Sequence, residues 1–194
     1  MQSIEQVTKR LTTDRNWFNK CMLGVLFSII PMANFVAFGY FYRLFLQGKR
    51  QEEISLPEWS DWKELFFDGL KCFLVVSLFA FIPIAVISAL ASILPWDSES
   101  YLSHLPRYPA YFFAGPLSCS ALYLYTLTGD FKSCFNFQAI GVLLKKGAKG
   151  YWVPTLALLG LVLMIPFAYF IGGVVYFYLM GQTLKSLERK ADRR

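Results

Sequence analysis

The sequence predicts an all-α integral membrane protein, and three observations carry that prediction. Four stretches contain no Asp, Glu, Lys or Arg: Cys21–Tyr42, Cys72–Leu94, Tyr108–Gly129 and Gly150–Leu184. Each is at least as long as the roughly 20 residues needed to cross a hydrocarbon core of about 30 Å. Charged residues make up only 16% of the 194-residue chain and apolar ones 56%, against roughly 25% charged in a soluble domain. The cations are also unevenly placed. Of 19 Lys and Arg, 4 precede the first stretch, 5 lie between the first and second, 1 between the second and third, 4 between the third and fourth, and 5 after the fourth. Only the connection Pro95–Arg107 is nearly free of them. The formal charge of +6 is therefore read as membrane-flanking charge, which retains loops on the cytoplasmic face and attracts anionic lipid headgroups. Nucleic acid is not an expected partner.

Taken in order, residues 1–20 hold Ile4, Val7 and Leu11 at i, i+3 and i+7 with Lys9 and Arg10 beside them. That pattern suits a short helix on the headgroups, or alternatively a frayed terminus. Asp14 is placed to cap the next helix, and Trp17 enters at interfacial depth. No cleavable signal is expected, because the first apolar run starts late and is too long and too aromatic.

The first apolar segment, about 17–46, is kinked or broken at Pro31, since proline removes a helical donor and crowds the preceding turn. A charged loop follows. An amphipathic interfacial helix is then expected over about 56–69, with Ser55 and Glu58 as a capping box and Pro57 in the first turn. On such a helix Trp59, Trp62 and Phe66 share one face as a lipid anchor or a partner-docking surface. The second segment, about 65–94, carries Pro83 as a second helix break, and Ala85/Ala89 and Ser88/Ser92 as small-residue pairs that permit close approach. The third, about 108–128, is broken early at Gly115-Pro116. A second interfacial helix is expected over about 130–146, with Phe131 and Phe135 on one side and its end at Gly147. The fourth segment, about 150–184, would measure roughly 50 Å as one straight helix, and Pro154 and Pro166 interrupt it. All 194 residues are expected to form a single membrane domain.

The charges bear on topology. If each segment crosses once, the two faces hold 10 and 9 Lys and Arg and the charge rule has no preference. If the outer two segments instead turn back at Pro31 and Pro166, as re-entrant or hairpin elements, one face holds 18 and the other 1. The hairpin arrangement is favoured, and ordinary Pro-kinked spans remain the alternative. The expected location is the inner (cytoplasmic) membrane, multi-pass, and the favoured arrangement puts the termini on the cytoplasmic side.

Ile30-Pro31, Gly39-Tyr40, Leu56-Pro57-Glu58-Trp59-Ser60-Asp61-Trp62 and Phe67-Asp68-Gly69-Leu70-Lys71 together resemble a prokaryotic membrane-protein family known as domain of unknown function four-thousand-and-thirteen. The resemblance extends less sharply through Gly129-Asp130-Phe131 and Lys149-Gly150-Tyr151-Trp152 to the last segment. Ser60 stands where that family more usually has an acidic residue. The resemblance implies a bacterial or archaeal integral membrane protein and transfers no catalytic residue and no substrate.

The residues themselves point away from catalysis. The one histidine, His104, lies in the poorly charged middle loop, away from any span serine. No apolar segment holds a carboxylate, so an intramembrane aspartyl pair is excluded. Cys21, Cys72, Cys119 and Cys134 lack metal-ligand spacing and read as buried small hydrophobes. There is no GxxxxGK[ST] loop. No enzyme activity, cofactor or metal is expected. Candidate polar sites are Asn34, which can satisfy carbonyls freed by Pro31, and Asp68 with Lys71 at a membrane edge. The expected function is a structural or accessory subunit of a membrane protein complex, or a bilayer-shaping element. Expected partners are the lipid bilayer and other membrane protein subunits. The competing function is a small transporter or channel whose Pro-broken helices line the path.

Overall fold

The computed structural model describes residues 4–30, 32–50, 54–93, 107–162 and 166–192. Among them the chain is all-helical. The α-helices are α1 (Ile4–Thr13), α2 (Trp17–Ile29), α3 (Asn34–Arg50), α4 (Trp62–Val76), α5 (Ile82–Ile93), α6 (Arg107–Thr128), α7 (Phe137–Val162) and α8 (Pro166–Asp192). Pro31 and the middle loop with His104 lie outside the described residues. The chain forms two compact units, one from Met1–Phe73 with Lys145–Arg194 and one from Leu74–Leu144.

The first unit is built around α3. Ten of its seventeen residues are buried, among them Tyr40, Phe41, Leu44 and Phe45. Helix α8 runs parallel to it, with Phe41 stacked on Phe177 at 5.2 Å and also packed against Phe170. Two glycines set the spacing: a Cβ on Gly48 would collide with the backbone of Tyr178, and one on Gly181 with the backbone of Phe45. On another side of α3, α4 runs antiparallel. There a Cβ on Gly39 would strike the Leu65 carbonyl, and one on Gly69 the Phe35 carbonyl. Helices seldom approach so closely except through small residues, because any side chain holds the backbones apart.

The break expected at Pro31 falls on a residue outside those described; on either side of it α2 ends at Ile29 and α3 begins at Asn34, whose N–H donates to Ile30 O at 2.8 Å. The two helices fold back on each other, so that Gly24 on α2 and Tyr40 on α3 both meet the ring of Phe170. Pro166 begins α8, a position where its missing donor costs nothing and its fixed φ suits the helix. The starts of α3 and α8 therefore lie at similar levels, a few residues before the Tyr40–Phe170 contact.

Helix α1 forms, but its apolar face is taken by protein. Val7 and Leu11 are buried. Asp14 does not cap α2; its Oδ1 accepts from the Asn16 N–H at 2.9 Å, and the N-cap position is Asn16 itself.

The helix expected over 56–69 is not a separate element. Residues 54–61 are non-helical, and α4 begins only at Trp62. Leu56 precedes a proline and is biased to extended backbone. Ile54 and Leu56 are buried on either side of exposed Ser55, an alternation with a strand's period. Asp61 then adopts φ +56°, which no helix interior permits. Trp59 accordingly leaves the face that Trp62 and Phe66 share.

Helices α4 and α5 join in one run, Trp62–Ile93, of 32 residues, the one described helix long and apolar enough to cross a membrane. Pro83 does not break it. Residues Ser77–Phe81 form a π turn, in which the Ile82 N–H donates to Ser77 O five residues back. One extra residue per turn relieves the crowding that a proline ring imposes on the turn before it.

In the second unit, α6 continues through Pro116; in the first, Pro154 likewise lies inside α7 rather than interrupting it. Each removes one backbone bond, a cost of roughly 3 kcal/mol, but both rings are buried and long helices continue around them. The core of the second unit is Phe79, Ala80, Ala114, Cys119, Ala121, Leu122, Tyr123 and Cys134. The helix expected over 130–146 divides at Asn136 into a 3-10 turn, Phe131–Phe135, and the start of α7. Asp130 caps the turn by accepting the Lys132 N–H at 3.0 Å. Gly147 lies within α7 and ends nothing.

Candidate functional site

The most organised polar feature is a clasp where the 54–61 strap crosses the start of α2. Lys20 is 9% exposed, and an isolated ammonium at that burial would be costly. Its three donors are all used: Glu58 Oε1 at 2.6 Å, Asp14 Oδ2 at 3.0 Å and Leu56 O at 3.0 Å. The Asn16 amide and the Lys20 ammonium together hold the Asp14 carboxyl below its ordinary value, the backbone hydrogen bond being the larger influence. The Trp59 indole N–H donates to Lys20 O at 3.1 Å, so strap and helix are tied by side chains running both ways.

Beneath the clasp, Trp59 stacks on Tyr40 with centroids 4.3 Å apart and a 16° interplanar angle. Phe27 meets Trp59 and Trp62 edge-on at 5.1 and 4.9 Å. The Tyr40 hydroxyl is buried without a hydrogen-bond partner among the described residues. A shallow cleft beside the clasp is lined by Asn16, Asn19, Lys20, Leu23, Glu58 and Trp59. Its one cation is fully engaged, and it presents no nucleophile with an adjacent base. The arrangement fastens helices together.

The other sequence candidates are dispersed. Trp62 is 48% exposed, and Phe66 packs edge-on against Phe35 at 5.5 Å. Asp68 and Lys71 pair at 3.1 Å along α4, on a charged surface with Lys63, Glu64 and Phe67. Phe131 and Phe135 pack on each other at 6.0 Å, with Phe135 also meeting Phe79 at 5.7 Å. Asn34 bridges the break between α2 and α3 through its backbone rather than joining the clasp. All four cysteines are buried free thiols. Among the described residues no group of three or more His, Cys, Asp or Glu side chains is placed to share a metal ion.

Sequence reading missed Lys20, Tyr40 and the inward role of Trp59. Lys20 stands one residue before an uncharged stretch, which makes it look like an ordinary flanking cation. The usable signal was Asp14 ahead of it and Glu58-Trp59 in the loop, but nothing local reports a pairing across 38 residues.

Gly39, Tyr40, Glu58, Trp59 and Gly69 thus converge on the α2–α3–α4 packing, and these are residues of the motifs that carried the family resemblance. No curated protein and no solved structure matches the chain. A family model does match, over residues 22–177, and on that match the chain belongs to the family described as protein of unknown function DUF4013.

Proposed function

We propose that this protein is a non-enzymatic, multi-pass integral membrane protein of the inner membrane, serving as a structural or accessory subunit or as a bilayer-shaping element. The observation that carries the reading is the run Trp62–Ile93. Only 17% of its most apolar 18-residue stretch is buried, whereas a core helix of a soluble protein is mostly covered. Ile82, Val86, Leu90 and Ile93, at i, i+4, i+8 and i+11, are all more than half exposed. Such a continuous apolar stripe is stable facing lipid and costly facing water.

Helix α2 supports a hairpin rather than a crossing. Its 13 residues reach about 20 Å, too short for a core of about 30 Å. Phe18, Met22, Leu26 and Ile29 form an exposed apolar stripe along it, and Met32 at the tip is 71% exposed. A hairpin of this depth adds volume to one leaflet, which gives the shaping role a mechanism. With the fourth stretch also turning back near Pro166, the termini and both long charged connections lie on the cytoplasmic side.

Single cysteines at Arg50, Ala148 and Ser98, in a cysteine-free background, test the topology by labelling from each side of sealed vesicles. The proposal expects positions 50 and 148 to label with the termini and position 98 from the opposite face. Opposite-face labelling at 50 removes the α2–α3 hairpin. Release of the protein by carbonate washing removes membrane insertion altogether. Substrate-dependent flux in proteoliposomes, lost in Asn34→Leu, would replace the structural role with transport.

A further inference from the structure

Helix α7 changes character along its length. Gly147, Tyr151, Pro154 and Thr155, at i, i+4, i+7 and i+8, are buried, and the Tyr151 ring lies where a Cβ on Gly147 would project. Away from that side, Lys145 and Lys146 are exposed and Trp152 is 53% exposed. Trp152 follows Lys145 by seven residues, so the two lie on one line of the helix about 10 Å apart along its axis. With the lysine heads at phosphate level, that separation crosses the interfacial layer of roughly 5–8 Å and puts the indole just inside the acyl boundary, close to where such rings are most stable. From Trp152 to Val162 the sequence holds no charged residue.

The charge here is also unbalanced. No Asp or Glu occurs between Asp130 and Glu188, so α7 carries no internal counter-charge. Lys20, Lys71 and Lys185 each pair with a carboxylate; among the described residues Lys145 and Lys146 pair with none.

From this we infer that the Lys145–Lys146–Trp152 face of α7 is a binding site for an anionic phospholipid, the two ammonium groups holding its phosphate and Trp152 lying against the upper part of its acyl chains. The inference rests on the proposed membrane insertion and adds a ligand to it. A soluble phosphate would engage the lysines and gain nothing from the exposed indole below them, which is why the lipid is the occupant assigned. With each surface lysine strengthening attraction to anionic lipid several-fold, enrichment at the face is on the order of tenfold.

The test uses the full chain in nanodiscs of phosphatidylcholine containing a minority of phosphatidylglycerol. Brominated chains are placed on one lipid or the other, and quenching of the Trp152 component is taken as the difference from Trp152→Phe. The expected result is several-fold stronger quenching by brominated phosphatidylglycerol at equal mole fraction, falling to the phosphatidylcholine level in the double variant Lys145→Gln/Lys146→Gln. Equal quenching by the two lipids, an excess that survives the double variant, or its abolition by millimolar inorganic phosphate at constant ionic strength would each overturn the site while leaving membrane insertion standing. No quenching of the Trp152 component by either lipid would overturn the site too, while release by carbonate washing is the separate result that would overturn insertion.

Discussion

The two compact units solve helix packing differently. In the first, α3 is pressed against α4 through Gly39 and Gly69 and against α8 through Gly48 and Gly181, and an ion-paired strap is bound across the start of α2. In the second, α6 is buried all round over a run of small residues (Ser118, Cys119, Ser120 and Ala121, with Ala114 a turn earlier), while α5 keeps a stripe of large apolar residues exposed. An open apolar groove lined by Phe79, Pro83, Ile87, Pro109, Phe113 and Leu117 lies in this second unit. The lesson is that apolar character alone does not fix helices to one another in the proposed lipid setting, where tails are as apolar as leucine. Close backbone approach and satisfied polar groups do so.

That contrast can be broken most forcibly at Gly39. Gly39→Leu drives a side chain into the Leu65 backbone and is expected to cost about 3 kcal/mol or more, read as loss of monodisperse protein in mild detergent. A small loss would mean that α3 and α4 do not approach as described.

Next in size is Val86→Lys on the exposed stripe of α5. If that stripe meets lipid, the substitution penalises insertion by about 3 kcal/mol, seen as a reduced membrane-integrated fraction in a translocation assay. An unchanged fraction would place the stripe in water.

The clasp follows. Asp14→Asn with Glu58→Gln leaves the Lys20 ammonium largely buried and without a carboxylate, at an expected cost of about 2 kcal/mol in thermal unfolding. Glu58→Gln alone costs less, since that carboxylate is 72% exposed. Acid acts on the same group. Asp14 titrates lower in the folded protein than in the unfolded chain, so its contribution is complete above the ordinary carboxylate range and is lost as pH falls through the lowered value. Melting temperature should therefore decline below about pH 4, and the decline should shrink in Asp14→Asn.

The smallest effect has the opposite sign. A Cβ on Gly141, inside α7, would meet nothing within 4 Å. Gly141→Ala is thus expected to stabilise the helix by about 0.5–1 kcal/mol, where the same change at Gly39 destabilises. Thermal unfolding of both variants checks the pair.

Much of the helical layout is legible in the sequence, since apolar runs and helix-starting prolines act locally. The start of α8 at Pro166 is of this kind. Pro83, Pro116 and Pro154 are not, because whether a helix survives a proline depends on a π turn or on packing around the ring. The amphipathic spacing of Val7 and Leu11 is correct as a helix signal and silent about which surface covers it. Trp59 is the sharpest case: its spacing to Trp62 and Phe66 suggests one helical face, yet the ring leaves to stack on Tyr40, a partner nineteen residues earlier. The glycine contacts are equally hidden, as nothing beside Gly39 distinguishes it from Gly141.

The proposed α2–α3 hairpin would end within lipid, beside the apolar run Trp62–Ile93 that carries membrane insertion. A spin label on Met32→Cys, in the cysteine-free protein reconstituted into vesicles, reads its depth from collision with oxygen against collision with a water-soluble nickel complex. High oxygen and low nickel accessibility are expected, placing position 32 near the bilayer midplane. High nickel accessibility there, as for a tip exposed to water on either face, would contradict it.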